Sequence, residues 1–224
     1  MPSIKRHFAF WHRNPGSAAE MRQRHALIDS LRAKGIWDAR VLDVMRQVPR
    51  HQFTPEDVRA QAYRDRALPI GLDQTISQPY IVALMSQALR LNGSERVLEV
   101  GTGSGYQTAI LSRLARQVYT VEIRADLSER AQQVLQGCRN VRFRVGDGWA
   151  GWPEAAPFDA VVVTAAPPSL PLALMEQLRI GGRMVVPIGE AQDTQTLWVL
   201  RKTQADVWTE ESLGPVVFVP RIEG

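Results

Sequence analysis

Apolar positions recur at two different periods along this chain, and the change between them divides it. From Met21 to Gly35 the spacing is helical, with Ala26, Leu27 and Leu31 on one face and Gly35 placed to close the segment. Asp38 then stands as the N-cap of a second helix carrying Val41, Leu42, Met45 and Val48, which Pro49 stops. Residues 52–78 contain Pro55, Pro69 and Gly71, and predict a short helix near 55–62 followed by irregular chain. Pro79 suits the first position of a third helix reaching Leu91, with Ile81, Val82, Met85 and Leu89 along one face.

Beyond residue 92 short apolar runs alternate with helical segments. Val97–Val100, Val118–Glu122, Val141–Val145, Asp159–Thr164 and Arg183–Pro187 read as strands. Gln107–Ala115, Leu127–Leu135 and Leu170–Leu178 read as helices among them. Such alternation predicts a parallel sheet with helices on both faces. Thr196–Arg201 and Val216–Val219 read as two further strands with no full helix between them, so the sheet is expected to end in an antiparallel pair. The expected class is α/β, a doubly wound, mostly parallel, seven-stranded Rossmann-like sheet with an N-terminal helical subdomain. Residues 1–20 read as an irregular, flexible extension, 21–92 as the helical region and 93–224 as the α/β core.

Composition removes several classes of function. Of 224 residues 45% are hydrophobic and 22% charged, which excludes a wholly disordered or collagen-like chain. The lone Cys138 excludes an intrachain disulfide and a cysteine-based zinc site. The longest weakly polar run, Ala160 to Met175, carries three prolines and falls short of the roughly 20 residues a membrane span needs. The basic N-terminus lacks the apolar stretch of a secretory signal. A cytoplasmic monomer without membrane contact is expected.

The net charge of +4 is uneven: residues 1–50 hold ten Lys or Arg against four Asp or Glu. These basic residues are mostly single and read as a solvated helix face, so a nucleic-acid partner is not expected. All four histidines, His7, His12, His25 and His51, lie in the first quarter. Chemistry located later in the chain therefore uses no imidazole base, no Ser-His-Asp triad and no histidine-bound metal.

Candidate chemistry gathers at the strand ends. Gly101-Thr102-Gly103-Ser104-Gly105 follows the first core strand and opens a helix, a place where glycines let a ligand approach the backbone. The dinucleotide spacing is absent, because the third glycine comes one residue early, and no phosphate-binding Gly-Lys-Ser/Thr follows. Glu122 ends the next strand, where an acid can reach ribose hydroxyls or simply be solvated. Gly146-Asp147-Gly148 ends the third, where Asp147 can accept from an adenine amino group or stabilise a turn. Together these loops suit a nucleoside bound without phosphates. Ser77, just before Pro79, reads by position as a helix cap worth about 1 kcal/mol. It also stands at a helix N-terminus, where free N–H groups favour a carboxylate.

Glu99-Val-Gly-Thr-Gly-Ser-Gly105, with Glu122 on the next strand, resembles the cofactor motif of class I S-adenosylmethionine-dependent methyltransferases. Ala67-Leu-Pro-Ile-Gly71 and Gln74-Thr-Ile-Ser-Gln-Pro79, with Gly146-Asp-Gly148 and the stretches 157–160 and 164–167, are similar to those of the protein-L-isoaspartate O-methyltransferases. The likeness runs from about Met21 to Pro220. It implies methyl transfer from S-adenosylmethionine to the free carboxylate of L-isoaspartyl residues in damaged proteins and peptides. The ester then closes to a succinimide whose hydrolysis restores some normal aspartate.

The resemblance also implies residue roles. Ser77 matches the family's active-site serine, with Thr75, Ile76 and Gln78 positioning substrate. Gly101, Thr102, Gly103, Ser104 and Gly105 pass against the methionyl part and ribose, with Thr164 also on the cofactor. Glu122 holds the ribose hydroxyls, Asp147 and Gly148 the adenine, and Glu99 acts near the methionyl amine, through water or by ordering the loop. An exchange in the order of the last two strands is implied as well. The chain departs from the family in residues 1–20, which precede the usual start at Met21, and in Asp73 and Arg221.

The chemistry of the residues agrees with that reading. A carboxylate, with a pKa near 4, is already ionised at neutral pH and needs no general base to attack a sulfonium methyl. Catalysis becomes alignment, so the missing histidine is expected. Rival readings are a methyltransferase acting on tRNA or a small molecule, a nicotinamide dehydrogenase and a non-catalytic scaffold. Thr164-Ala-Ala-Pro167 is unlike the Asp/Asn-Pro-Pro-aromatic loop used in amino methylation of bases, and the glycine spacing disfavours the dehydrogenase.

Overall fold

A computed structural model describes residues 16–190 and 193–218. Helix α1 spans Ala18–Ala33, starting three residues before Met21, within the stretch read as irregular. The reason is a reciprocal cap: the Ser17 side chain accepts from the Glu20 N–H while Glu20 accepts from the Ser17 N–H at 2.7 Å. Helix α2, Ala39–Gln47, is capped by Asp38, which accepts from the Arg40 and Val41 N–H groups. A 3-10 turn, Glu56–Gln61, stands where the sequence predicts a short helix, and another, Arg50–Phe53, precedes it.

The next segment corrects the sequence reading. Instead of irregular chain, β1 (Leu68–Gly71) and β2 (Gln74–Ile76) form an antiparallel hairpin. Its two-residue turn is Leu72-Asp73, both at positive φ, 56° and 55°. That geometry ordinarily selects Asn-Gly, so the turn carries no recognisable signal. Helix α3, Pro79–Ala88, follows with Pro79 in its first turn.

The core sheet takes β3 (Arg96–Val100), β4 (Gln117–Glu122), β5 (Val141–Val145) and β6 (Phe158–Val163), linked by α4 (Tyr106–Leu114) and α5 (Ala125–Val134). Helix α6, Leu172–Glu176, is only five residues long, and β7 begins already at Leu178 and runs to Ile188. The Gly181-Gly182 pair sits inside β7 where its register against β6 slips. Strands β8 (Gln195–Lys202) and β9 (Trp208–Val216) complete the order β5-β4-β3-β6-β7-β8-β9. Strands β5 to β7 are mutually parallel, and β8 and β9 are each antiparallel to their inner neighbour. The seven-stranded α/β expectation holds, and the last two strands lie in chain order. The final strand is earlier than expected: it ends at Val216, and its exposed Glu210, Glu211 and Pro215 suit an unpaired edge. Val219, in the strand read from sequence, lies outside the described residues, as do residues 1–15 and Arg221.

Alternate strand residues feed two cores. Val97, Val118, Ala160, Val162 and Val185 pack with the apolar faces of α1 to α5. Leu98, Val100, Val161, Val163, Met184 and Val186 pack on the other face with Leu174 of α6, Trp149 and Trp152. Helices thus cover both faces, but the second is closed mostly by aromatic side chains and turns. The sheet grows in opposite directions from β3 and β6, which opens a crevice at their carboxyl ends. Among the described residues no helix is long and apolar enough to cross a membrane.

Candidate active site

The crevice is a cleft of about 830 Å³, partly open to solvent. Glycine makes its floor possible. Gly101 has φ +94°, and a Cβ there would collide with Thr164 Oγ1. That hydroxyl lies within hydrogen-bond distance of the Val100 and Gly101 carbonyls, at 3.0 and 2.7 Å, tying the β6 loop to the glycine loop. A Cβ on buried Gly148 would lie 2.5 Å from Val100 Cγ1. Thr102, Gly103 and Ser104 line the cleft beside them.

Glu122, only 6% exposed, faces the cleft from the end of β4. Its Oε2 accepts from the Gly103 N–H at 2.8 Å and its Oε1 from the Arg124 N–H at 3.0 Å. Each oxygen keeps a second lone pair for a ligand. Asp147 is exposed at the rim, with Oδ1 accepting from the Trp149 N–H at 2.9 Å. Asp147 therefore shapes a turn and also lines the cleft. Among the described lining residues Glu122 and Asp147 are the charged ones, and none is Lys or Arg. Such a surface suits a cationic nucleoside and offers phosphates no side-chain cation among the described lining residues.

Thr75, Ile76 and Ser77 form the opposite wall. A second cleft adjoins it, lined by Gln78, Ile81, Val217 and Phe218 among others, and shares Thr75, Ser77 and Thr164 with the first. No charged side chain lines this second cleft among the described residues. Ser77 does not cap α3: the N-cap is Gln78, with no side-chain cap bond. No partner within hydrogen-bond distance of the Ser77 hydroxyl is found among the described residues. The α3 N-terminus is also less open than the sequence suggests, because the Tyr80 N–H donates to Asp65 Oδ1 at 2.8 Å. Asp65 in turn pairs with Lys34.

Three expected site residues do not line the first cleft. Gln78 lines only the second cleft. Gly105 turns away from the first; a Cβ there would meet Leu135 Cδ1 at 2.9 Å and Ala131 Cβ at 3.1 Å, so its role is close packing of the loop on α5. Glu99 is fully buried beneath the loop, placed to order it rather than to line the cleft. Side-chain alternation in β3 puts it on the face of Val97, under α4. Its Oε2 accepts from the Thr108 and Thr120 hydroxyls at 2.5 and 2.7 Å, and Thr120 Oγ1 lies 2.6 Å from Thr102 Oγ1. The chain braces the glycine loop from below.

Burial pushes the Glu99 carboxyl up to about 8, against the two hydroxyl bonds that favour its anion. A carboxyl whose pKa rises on folding contributes most stability below its unfolded value near 4.5, and loses it as pH rises through about 8. Thermal midpoints of the cofactor-free protein should therefore fall between pH 5 and pH 9, and fall less in Glu99→Gln. Equal falls in both proteins would contradict this assignment.

Sequence reasoning missed Gln74, Val82, Tyr106, Gln107 and Ile123, which also line the first cleft together with Trp149. Ile123 and Trp149 directly follow Glu122 and Gly148, so adjacency to those residues was the available signal.

The model of the protein-L-isoaspartate(D-aspartate) O-methyltransferase family matches residues 22–224. The chain belongs to this family. It is 55% identical over 197 residues to the protein-L-isoaspartate O-methyltransferase of a Synechococcus strain, covering 84% of this chain and 80% of that one. It is 54% identical over 196 residues to that of Myxococcus xanthus, covering 86% and 92%. A solved protein-L-isoaspartate O-methyltransferase superposes with a TM-score of 0.81 at 29% identity, covering 89% of this chain and 66% of the other. A Plasmodium falciparum structure, described as a putative member in complex with S-adenosyl-L-homocysteine, gives 0.76 at 25% identity, covering 88% and 97%. The activity of this methyltransferase is accordingly the repair reaction on isoaspartyl residues, with S-adenosylmethionine as methyl donor.

Proposed function

We propose that the first cleft holds S-adenosylmethionine, that the second receives the isoaspartyl segment, and that Ser77 seats the reacting carboxylate between them. The observation that carries this reading is the shared wall: Thr75, Ser77 and Thr164 border both clefts, and the Ser77 hydroxyl is spare.

The residues fit the cofactor. Glu122 offers paired acceptors to ribose hydroxyls while Gly103 stays tied to it, and Asp147 with Gly148 frames the adenine end. Gly101, Thr102, Gly103, Ser104 and Thr164 give the methionyl part a close backbone surface, with Glu99 and Gly105 holding that surface from behind. When bound, S-adenosylmethionine supplies an electrophilic methyl group on a sulfonium.

The chain's own work is orientation. Ser77 donates one hydrogen bond to the substrate carboxylate, with Thr75 beside it and Ile76 and Gln78 shaping the approach. A neutral hydroxyl fixes direction without forming an ion pair that would dull the nucleophile. The uncharged second cleft serves the same end, since an anion there meets no competing cation among the described lining residues. Water exclusion by buried Phe218 strengthens attraction toward the cationic donor.

A surface substitution separates the clefts. Val217 is 82% exposed, so Val217→Glu leaves folding intact. It places a negative charge in the second cleft and should raise KM for an isoaspartyl peptide about tenfold, an effect of ~1.4 kcal/mol. Calorimetric affinity for S-adenosylhomocysteine should stay within about twofold. An unchanged peptide KM would place the substrate elsewhere.

A further inference from the structure

We infer that Arg50 is a positioning residue for methyl transfer: it fixes Ser77 by clamping both ends of the β1–β2 hairpin to one guanidinium. This rests on the reading of Ser77 as the carboxylate seat. Arg50 lies in the turn after α2, far in sequence from either cleft, and is fully buried. Its Nη1 donates to the Ala62 carbonyl at 2.5 Å. Its Nη2 donates to the Ser77 carbonyl at 2.9 Å and lies 3.3 Å from that of Arg66. Ala62 and Arg66 precede the hairpin and Ser77 follows it. The guanidinium also lies 5.6 Å from the ring centre of Tyr106, which opens α4 and lines the cofactor cleft. One planar group therefore connects the chain before the hairpin, the seat after it and the residue behind the glycine loop.

The chemistry explains why arginine is suited to this place. A buried cation is expensive unless its donors are used, and here both terminal nitrogens meet backbone carbonyls while Nε has no partner among the described residues. Asp65, the neighbouring acid, is committed to Lys34 and the Tyr80 N–H. Burial lowers the guanidinium to about 10, so it stays charged at neutral pH. A lysine keeps the charge but lacks the flat fork that reaches several carbonyls in fixed directions. With lysine the seat loses direction while both clefts keep their lining.

A double-mutant cycle tests this in the full chain, using an isoaspartyl peptide, S-adenosylmethionine and folded fractions measured by circular dichroism. Arg50→Lys should lower kcat per folded molecule about tenfold, with affinity for S-adenosylhomocysteine within about threefold. Combined with Ser77→Ala, it should add less than about twofold to the loss from Ser77→Ala alone, because both act through one hydroxyl. A purely structural Arg50 would lower the melting midpoint and leave kcat per folded molecule unchanged. That result, or losses that multiply in the double variant, would overturn the clamp. If Ser77→Ala alone keeps full turnover, the seat itself is refuted, and the clamp with it. Should Arg50→Lys not fold, Arg50→Gln, whose shorter amide cannot span the carbonyls of Ala62, Arg66 and Ser77, takes its place in the same cycle with the same criteria.

Discussion

Replacing Ser77 with alanine should lower kcat on an isoaspartyl peptide about 10- to 100-fold while leaving the affinity for S-adenosylhomocysteine within about twofold. The magnitude follows from one hydrogen bond to a charged partner, roughly 1.5–3 kcal/mol, each 1.36 kcal/mol being tenfold in rate. The split follows from place. Ser77 borders both clefts, its hydroxyl has no partner among the described residues, and the α3 cap does not depend on it. A thermal midpoint close to that of the parent is therefore expected. Steady-state kinetics beside calorimetry checks both halves, and unaltered turnover in a folded variant would refute the seat.

Replacing Glu122 with alanine should act in the opposite way. The dissociation constant for S-adenosylhomocysteine should rise about 100-fold or more, and kcat at saturating cofactor should change far less. Two carboxylate hydrogen bonds to ribose hydroxyls, at roughly 1.5–3 kcal/mol each, supply that effect. The loss is compounded because the Gly103 N–H, now held at 2.8 Å, is left without its acceptor and the loop loosens. Calorimetric titration decides the matter. An affinity within about threefold of the parent would remove Glu122 from the cofactor cleft.

Most of the cofactor edge was legible in the sequence because its signals are local. A glycine that a Cβ would drive into Thr164, an acid at a strand end and a glycine against Val100 each sit at a fixed offset from an apolar run. The direction of a side chain was less legible. Glu99 looks like a ligand residue two positions before Gly101, but the two-residue period of a strand sends it under α4. Gly105 shares the motif yet packs on α5.

The substrate side was poorly legible for a different reason. The β1–β2 hairpin turns through Leu72-Asp73 in a conformation that glycine or asparagine usually announces. Arg50 acts through carbonyls 12, 16 and 27 residues away, and a carbonyl has no sequence signature. The early start of α1, by contrast, was readable: Ser17 followed three residues later by Glu20 is a capping box.

The most direct test of the account is transfer itself. The purified protein is incubated with methyl-labelled S-adenosylmethionine and two matched peptides, one L-isoaspartyl and one normal aspartyl. Base-labile label on the isoaspartyl peptide alone is the predicted result. Equal label on both peptides, or none on either while the cofactor still binds, would contradict it.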